Sequence, residues 1–431
     1  MAVELKQTNY EKVMRLIRAF RKAESNNPYQ AATRSANDPT MTITAATDAT
    51  LGPAVLLTNG TLAMSSAGLN QVAWYGGVPK ANGKYVHTPV ASQAPSTGGN
   101  LSGYVNANIT GDMNEWCASL EITTDGTSVE LGLFMNSAMR AMVQVDGYYV
   151  DKVGMVGAQA GGGDNFIKLV FPTRKRRVIR FMWGIRAGSA SGPMPFQIRV
   201  SPTCNFWKPD QSGVLKMLWF GDSYGEAQPT AFQIPNGPMA LIAGELLGIR
   251  DVRQTSVGQT GYMNNGGTRS ALRDQITAIM TTGNPLYQGP GDLITIAHGY
   301  NDYSWGAYSA ATLTAEALYC YQLMRSFTSA PIVVLGCQAG KRGPDAKTIE
   351  IENAISAAVT QFNDPLCRFA PVSTDFVPWL NGTGYIGATN GTGNSDVYIA
   401  PDATHPSDPG HENEGYRASS GIWSAVQAMA A

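Results

Sequence analysis

From about residue 212 onward the chain alternates short apolar runs with amphipathic segments, and that rhythm constrains the fold more than any other feature. Residues 214–220, 252–257, 293–297 and 332–335 read as strands. Residues 238–247, 268–280, 313–327, 346–362 and 414–429 read as helices between and after them. Strands separated by helices predict a parallel sheet covered on both faces. In such sheets ligands bind beyond the carboxyl ends of the strands, so the residues that follow each strand are the first place to look for chemistry.

The stretch before residue 212 has a different texture. Residues 101–205 hold short alternating runs at 118–123, 129–135, 142–145, 148–150, 166–171, 178–185 and 196–200, the pattern of an all-β sandwich or jelly roll. Asp146-Gly147 falls between two of these runs and fits a tight hairpin turn that needs positive φ. Residues 173–177 form a basic turn; a solvated hairpin tip explains it better than contact with an acidic polysaccharide. Residues 8–24 read as one amphipathic helix. Thr8 and Glu11 have capping-box spacing, and Val13, Leu16, Ile17 and Phe20 share a face. The Ala, Thr, Gly, Asn, Ser and Pro-rich stretch over 25–100 reads as an extended arm or irregular β-structure. The expected division is therefore 1–100 for helix and arm, 101–210 for the β-sandwich and 211–431 for the α/β domain.

Composition excludes several classes. Hydrophobic residues make up 43% and charged residues 15%, which suits folded cores. A formal net charge of −1 lacks the basic excess of a nucleic-acid-binding surface. Five widely spaced cysteines and four histidines, with no CxxC and no HExxH, give no expected metal site and no cofactor. No apolar run approaches the length of a membrane span, so no membrane insertion is expected. The amino-terminal residues do not read as a secretion signal, which leaves a cytoplasmic or virion-associated location as the expectation.

Four short blocks carry the chemistry. Gly221-Asp222-Ser223 follows the first strand and would expose a serine on a tight turn. A serine hydroxyl needs a base to become a nucleophile. Asp402 lies three residues before His405, a spacing that lets a carboxylate fix the imidazole tautomer and leave Nε2 as that base. Asn301, in Gly299-Tyr300-Asn301-Asp302 after the third strand, can donate its amide to an oxyanion. Gly261, in the loop after the second strand, can bring its N–H to the same oxygen. Asp302 is assigned to holding its loop. Each block alone is an ordinary strand-exit turn; their order is what distinguishes them.

In that order the blocks resemble the SGNH (GDSL-like) hydrolase family, over about residues 214–429. The resemblance implies a flavodoxin-like three-layer α/β domain with a Ser223–His405–Asp402 triad. It also implies an oxyanion hole made by Ser223, Gly261 and Asn301. Gly221 to Gly225 also matches G-x-S-x-G, the nucleophile elbow of α/β-hydrolases. That fold places its elbow after several strands of the sheet and its acid and base on separate loops, so the match is read as coincidence. His298 departs from the family pattern and is read as a core histidine.

A β-domain ahead of such a domain resembles the family-two carbohydrate esterases. Tyr224, Tyr300, Tyr303, Trp305 and Trp379 cluster around the expected site, and flat rings suit sugars. The expected activity is removal of O-acetyl or other short acyl groups from a carbohydrate or polysaccharide. Two alternatives stay open: a lipid or thioester hydrolase, and a virion tail-fibre or tailspike component with receptor-binding function. The expected partners are the acylated carbohydrate and either a homo-oligomer or a virion assembly.

Overall fold

A computed structural model describes residues 8–24, 38–60, 63–87, 118–135, 140–151, 154–158, 162–184, 193–225, 237–265, 269–283, 287–305 and 308–431. The alternating carboxyl-terminal half forms a five-stranded parallel sheet. Its strands are β1 (Lys216–Gly221), β2 (Asp251–Gln254), β3 (Leu293–Ala297), β4 (Ile332–Leu335) and β5 (Cys367–Ala370), in the order β2-β1-β3-β4-β5. The chain winds outward in both directions from β1, so the carboxyl ends of β1 and β3 flank the switch point where a crevice opens.

The period-two alternation of each strand sorts its side chains between two cores. Met217 and Trp219 face one core and Leu218 and Phe220 the other. The first is covered by α1 (Asn9–Glu24), α2 (Met239–Leu246) and α6 (Asp408–Ala430). The second is covered by α3 (Leu272–Met280), α4 (Ala310–Phe327) and α5 (Ala346–Phe362). Three layers result. Among the described residues no helix is long and apolar enough to cross a membrane.

The amino-terminal helix belongs to this half. Val13, Leu16, Ile17 and Phe20 are buried in its first core, and the Phe20 ring lies 5.3 Å from that of Trp423 in α6. The expected capping box is present: Thr8 N–H donates to Glu11 at 2.7 Å and Glu11 N–H to Thr8 Oγ1 at 3.2 Å. Arg15 pairs with Asp292 at 2.6 Å, just before β3. The boundary expected after residue 100 therefore separates α1 from the domain whose core it completes.

Among the described residues the preceding half contains a two-stranded hairpin, Lys80–Asn82 with Tyr85–His87, and two larger antiparallel sheets. In one the spatial order is Thr40–Thr44, Gly163–Val170, Ser128–Met135, Met194–Val200 and Val55–Leu56. The other runs Met155–Val156, Arg140–Val145, Arg177–Gly184, Ala118–Thr124 and Phe206–Trp207, with Ala73–Tyr75 also paired to Ala118–Thr124. Leu131, Ile167 and Ile198 from the first sheet share one core with Leu120, Val143, Ile179 and Phe181 from the second. The hairpin at Asp146-Gly147 has φ of 52° and 90°, and Val145 pairs with Tyr148 across it. In the basic turn, Arg174 pairs with Asp125, Arg177 donates to Thr173 and Lys175 carbonyls, and Arg176 lies 5.7 Å over Trp207.

The expected irregular arm is corrected where it is described. Thr40–Thr44, Val55–Leu56 and Ala73–Tyr75 are ladder strands of the two sheets, so this half starts well before residue 101. Thr40–Thr44 is an edge strand whose outward residues are threonines, so only Met41 and Ile43 mark it as a strand. Residues 25–37, 61–62 and 88–100 of the expected arm, and 101–117 of the expected sandwich, lie outside the described residues. The two halves join through polar bonds at the amino end of β2. Arg250 binds both oxygens of Glu121 at 2.7 and 2.8 Å, and Gly76 N–H donates to Asp251 at 2.9 Å. That junction is at the opposite end of the sheet from the strand exits.

Candidate active site

β1 ends in a turn built around Ser223. The Asp222 carboxylate accepts the Tyr224 N–H at 3.0 Å, which curls the chain immediately past the serine. Gly221 and Gly225 have a packing reason: a Cβ at either position would crowd Ser256 Oγ, and the Gly225 carbonyl accepts from the Gln254 amide. The two glycines of G-x-S-x-G are thus explained by the neighbouring β2 exit. Ser223 follows the first strand of the sheet in chain order and is 5% exposed.

The loop before α6 holds Asp402 and His405. Ala403 has φ of +64°, a left-handed turn that folds the loop back on itself. Asp402 Oδ1 accepts the N–H groups of Thr404 and His405, both at 3.0 Å, and Oδ2 meets His405 Nδ1 at 2.6 Å. Burial pushes the Asp402 carboxyl up, but the His405 ring and the two backbone donors outweigh it and hold it below the ordinary aspartate value. With Nδ1 bonded to a carboxylate, Nε2 is the nitrogen left to take a proton.

Tyr224 joins the two loops. Its hydroxyl donates to the Thr404 carbonyl at 2.6 Å and its ring lies 5.8 Å from the His405 ring. The residue after the serine therefore packs against the loop of the histidine. Among the described residues the Ser223 hydroxyl makes no hydrogen bond. Such contacts commonly tighten only when substrate is bound.

Asn301 and Asp302 follow β3 on the short helix Tyr300–Trp305. Asn301 is 3% exposed and uses one amide hydrogen on the Thr260 carbonyl at 3.0 Å, which leaves a second. Asp302 is fully buried. It accepts the N–H groups of Tyr262 and Met263 at 2.9 Å and of Asn264 at 3.1 Å, clamping the loop after β2. Burial raises its pKa, and the three donors offset only part of that. A Cβ at Gly261 would collide with this carboxylate. The Gly261 N–H already donates to the Asn264 carbonyl at 2.8 Å, so the expected oxyanion donor is engaged and its glycine has a packing cause.

The expected aromatic rim divides. Trp379 is 1% exposed inside the first core, which removes it from any sugar-binding surface. Tyr224 is also buried, and its role is to hold the histidine loop. Tyr300 and Tyr303 are half-buried and follow Tyr224 in a row of tilted rings, Tyr224 to Tyr300 at 5.1 Å and Tyr300 to Tyr303 at 6.5 Å. The Trp305 side chain lies outside the described residues. Burial pushes His298 down to about 3, so it is a neutral core ring against Tyr262.

A residue that sequence reasoning missed is Glu352 on α5. Fully buried, it accepts the N–H groups of Cys337, Val372, Ser373 and Thr374 at 2.8 to 3.1 Å, tying the exits of β4 and β5 together. A glutamate on the mostly apolar buried face of α5, beside Ile351, Ile355 and Val359, was the available signal.

The sequence matches no family model and no curated protein. Solved structures do share its fold. A family two carbohydrate esterase from Cellvibrio japonicus aligns over 90% of this chain and 99% of its own, with TM-score 0.56 and 13% identity. The acetyl xylan esterase Est2A from Butyrivibrio proteoclasticus aligns over 88% and 99%, with TM-score 0.53 and 12% identity. A salicylyl-acyltransferase from a tetracycline biosynthetic pathway aligns over 85% and 95%, with TM-score 0.56 and 14% identity. The chain thus shares a fold with family two carbohydrate esterases, an acetyl xylan esterase and an acyltransferase.

Proposed function

We propose that the chain is a serine esterase that removes O-acetyl or other short acyl groups from a carbohydrate or polysaccharide. The observation that carries this reading is the Asp402–His405 pair, whose loop is tied through Tyr224 to the turn that bears Ser223. His405 Nε2 takes the Ser223 proton, and Ser223 Oγ attacks the ester carbonyl. The second Asn301 amide hydrogen and the Ser223 N–H stabilise the oxyanion. Gly261 joins them only by exchanging its Asn264 partner. His405 then protonates the departing sugar hydroxyl, and water attacks the acyl-enzyme by the same route. Tyr300 and Tyr303 supply a stacking face for the sugar. The antiparallel half, read as a jelly-roll-like sandwich, braces the amino end of the sheet.

Carbohydrate is favoured because the aligned esterases act on it by name, and because two half-buried rings adjoin the site. The test is acetate release from acetylated polysaccharides by wild type and Ser223→Ala. Wild-type release that falls by about 10⁶ in the variant supports the reading. Aryl-ester cleavage through Ser223 without polysaccharide deacetylation would remove the carbohydrate. An intact Ser223→Ala rate would remove the triad.

A further inference from the structure

Two cations stand beside the candidate site that the triad chemistry does not use. The chain leaves β4 and makes a short turn, Gly340–Arg342. Gly340 has φ of +58°, and a Cβ there would come within 3.1 Å of Tyr300 and 3.2 Å of the Tyr224 hydroxyl. The turn therefore presses on the two rings that lead to His405. Its next residues, Lys341 and Arg342, are exposed.

Both are held in place by rings. Lys341 Nζ sits 5.6 Å over Tyr385, and the Lys341 carbonyl accepts the Gly384 N–H at 3.2 Å, which fixes the turn to the loop that follows β5. The Arg342 guanidinium sits 4.8 Å over Tyr303, whose hydroxyl donates to Asp345 at 2.8 Å. Neither cation has a carboxylate within 4.0 Å among the described residues, as Arg174 has Asp125 and Lys84 has Asp164; Arg342 interacts with the Tyr303 hydroxyl and feels the Asp345 charge at longer range, and Lys341 meets the Tyr385 ring. A cation stacked on a ring keeps its N–H donors available while losing side-chain freedom in advance. Arginine adds a planar fork suited to a carboxylate or sulfate.

We propose that Lys341 and Arg342 are specificity-determining residues for an anionic glycan ester, whose negative group lies close to the acylated sugar. This rests on the esterase reading above. Arg342 covers one face of Tyr303, so a polymer lying along Tyr300 meets the guanidinium at the edge of that ring. Carboxylated and sulfated glycans share the required chemistry.

The test compares acetate release by the full chain from acetylated polygalacturonate, an acetylated sulfated glucan and a neutral acetylated xylan. The wild type should favour an anionic polymer over the neutral one by roughly tenfold in kcat/KM, as two partly exposed charge contacts allow. That preference should collapse as NaCl rises from about 20 mM to about 500 mM, because screening acts on exposed charges. In Lys341→Gln/Arg342→Gln the anionic-to-neutral ratio should fall by about tenfold and lose its salt dependence. Which anionic polymer is preferred assigns the pair to carboxylate or sulfate. A wild-type ratio indifferent to salt overturns the proposal even if the variant fails to fold. So does a folded double variant that keeps the wild-type ratio. If no ester, aryl acetate included, is cleaved through Ser223, the esterase reading itself falls.

Discussion

Asp302 and Asp402 are aspartates at the same end of the parallel sheet, and they are held in opposite ways. Asp302 is fully buried and accepts three backbone N–H groups from the loop after β2. Asp402 is one-third exposed in its side chain and accepts from an imidazole as well as from its own turn. Backbone donors cannot change their protonation, so the first arrangement is a clamp. An imidazole can, so the second arrangement can move charge during a reaction. What a carboxylate does here is set by its donors and not by its distance along the chain from the serine.

The comparison breaks first at the turnover step. Asp402→Asn leaves an amide beside Nδ1 and favours the wrong imidazole tautomer; the expected loss in kcat is roughly 10⁴, by analogy with triad aspartates. Its melting temperature should stay near wild type, since the loop is partly exposed. Steady-state kinetics on an aryl acetate, with a thermal melt alongside, check both halves of the statement. A variant that loses stability and keeps its rate would reverse the roles assigned to the two aspartates.

Asp302→Asn should do the opposite. The amide can accept at only one atom and presents an NH₂ to at least one of the three backbone donors. The expected cost is about 2–4 kcal/mol of stability, the range for a buried donor left unpaired beside a disrupted network. Glu352→Gln should behave alike, because its four backbone donors also surround both oxygens. Urea unfolding measures both. A destabilisation below about 0.5 kcal/mol for either would show that its loops hold without the clamp, as surface positions do.

These roles differ in how far they could be read from the sequence. The Asp402–His405 hydrogen bond spans three residues, so local spacing was enough to expect it. The strands β1, β3 and β4 were legible because both faces are buried and the runs are mostly apolar, with only Lys216 and Thr295 interrupting them. β5 was not, since Arg368 interrupts four residues that otherwise resemble a helix-exit loop. Asp302 was expected to hold a loop, but its partners lie 38–40 residues away, and nothing local says which loop. The same blindness misplaced Trp379: an aromatic residue near a site in sequence is equally suited to rim or core, and only packing decides. Gly261 was read as letting its N–H approach an oxyanion unobstructed by a Cβ, whereas the space that Cβ would fill is taken by the Asp302 carboxylate.

The smallest expected effect tests the comparison through pH. Burial raises Asp302 above the ordinary value of 3.8, so above that pH the folded state holds a proton that the unfolded state has released. Its contribution to stability therefore falls as pH rises from 3.8 through the folded pKa. Asp402 is lowered from 3.8, so its contribution is complete above that value and is lost as pH falls below it. The Asp402 effect should amount to only about a few tenths of a kcal/mol, because solvent screens a group so exposed. Urea midpoints measured across the acidic range should thus change slope in opposite senses when each aspartate is replaced by asparagine. Relative to wild type, Asp302→Asn should lose a term that declines with rising pH, and Asp402→Asn a term that grows. Slopes that shift in the same sense would mean that the two carboxylates share one environment, and the division between clamp and charge carrier would have to be abandoned.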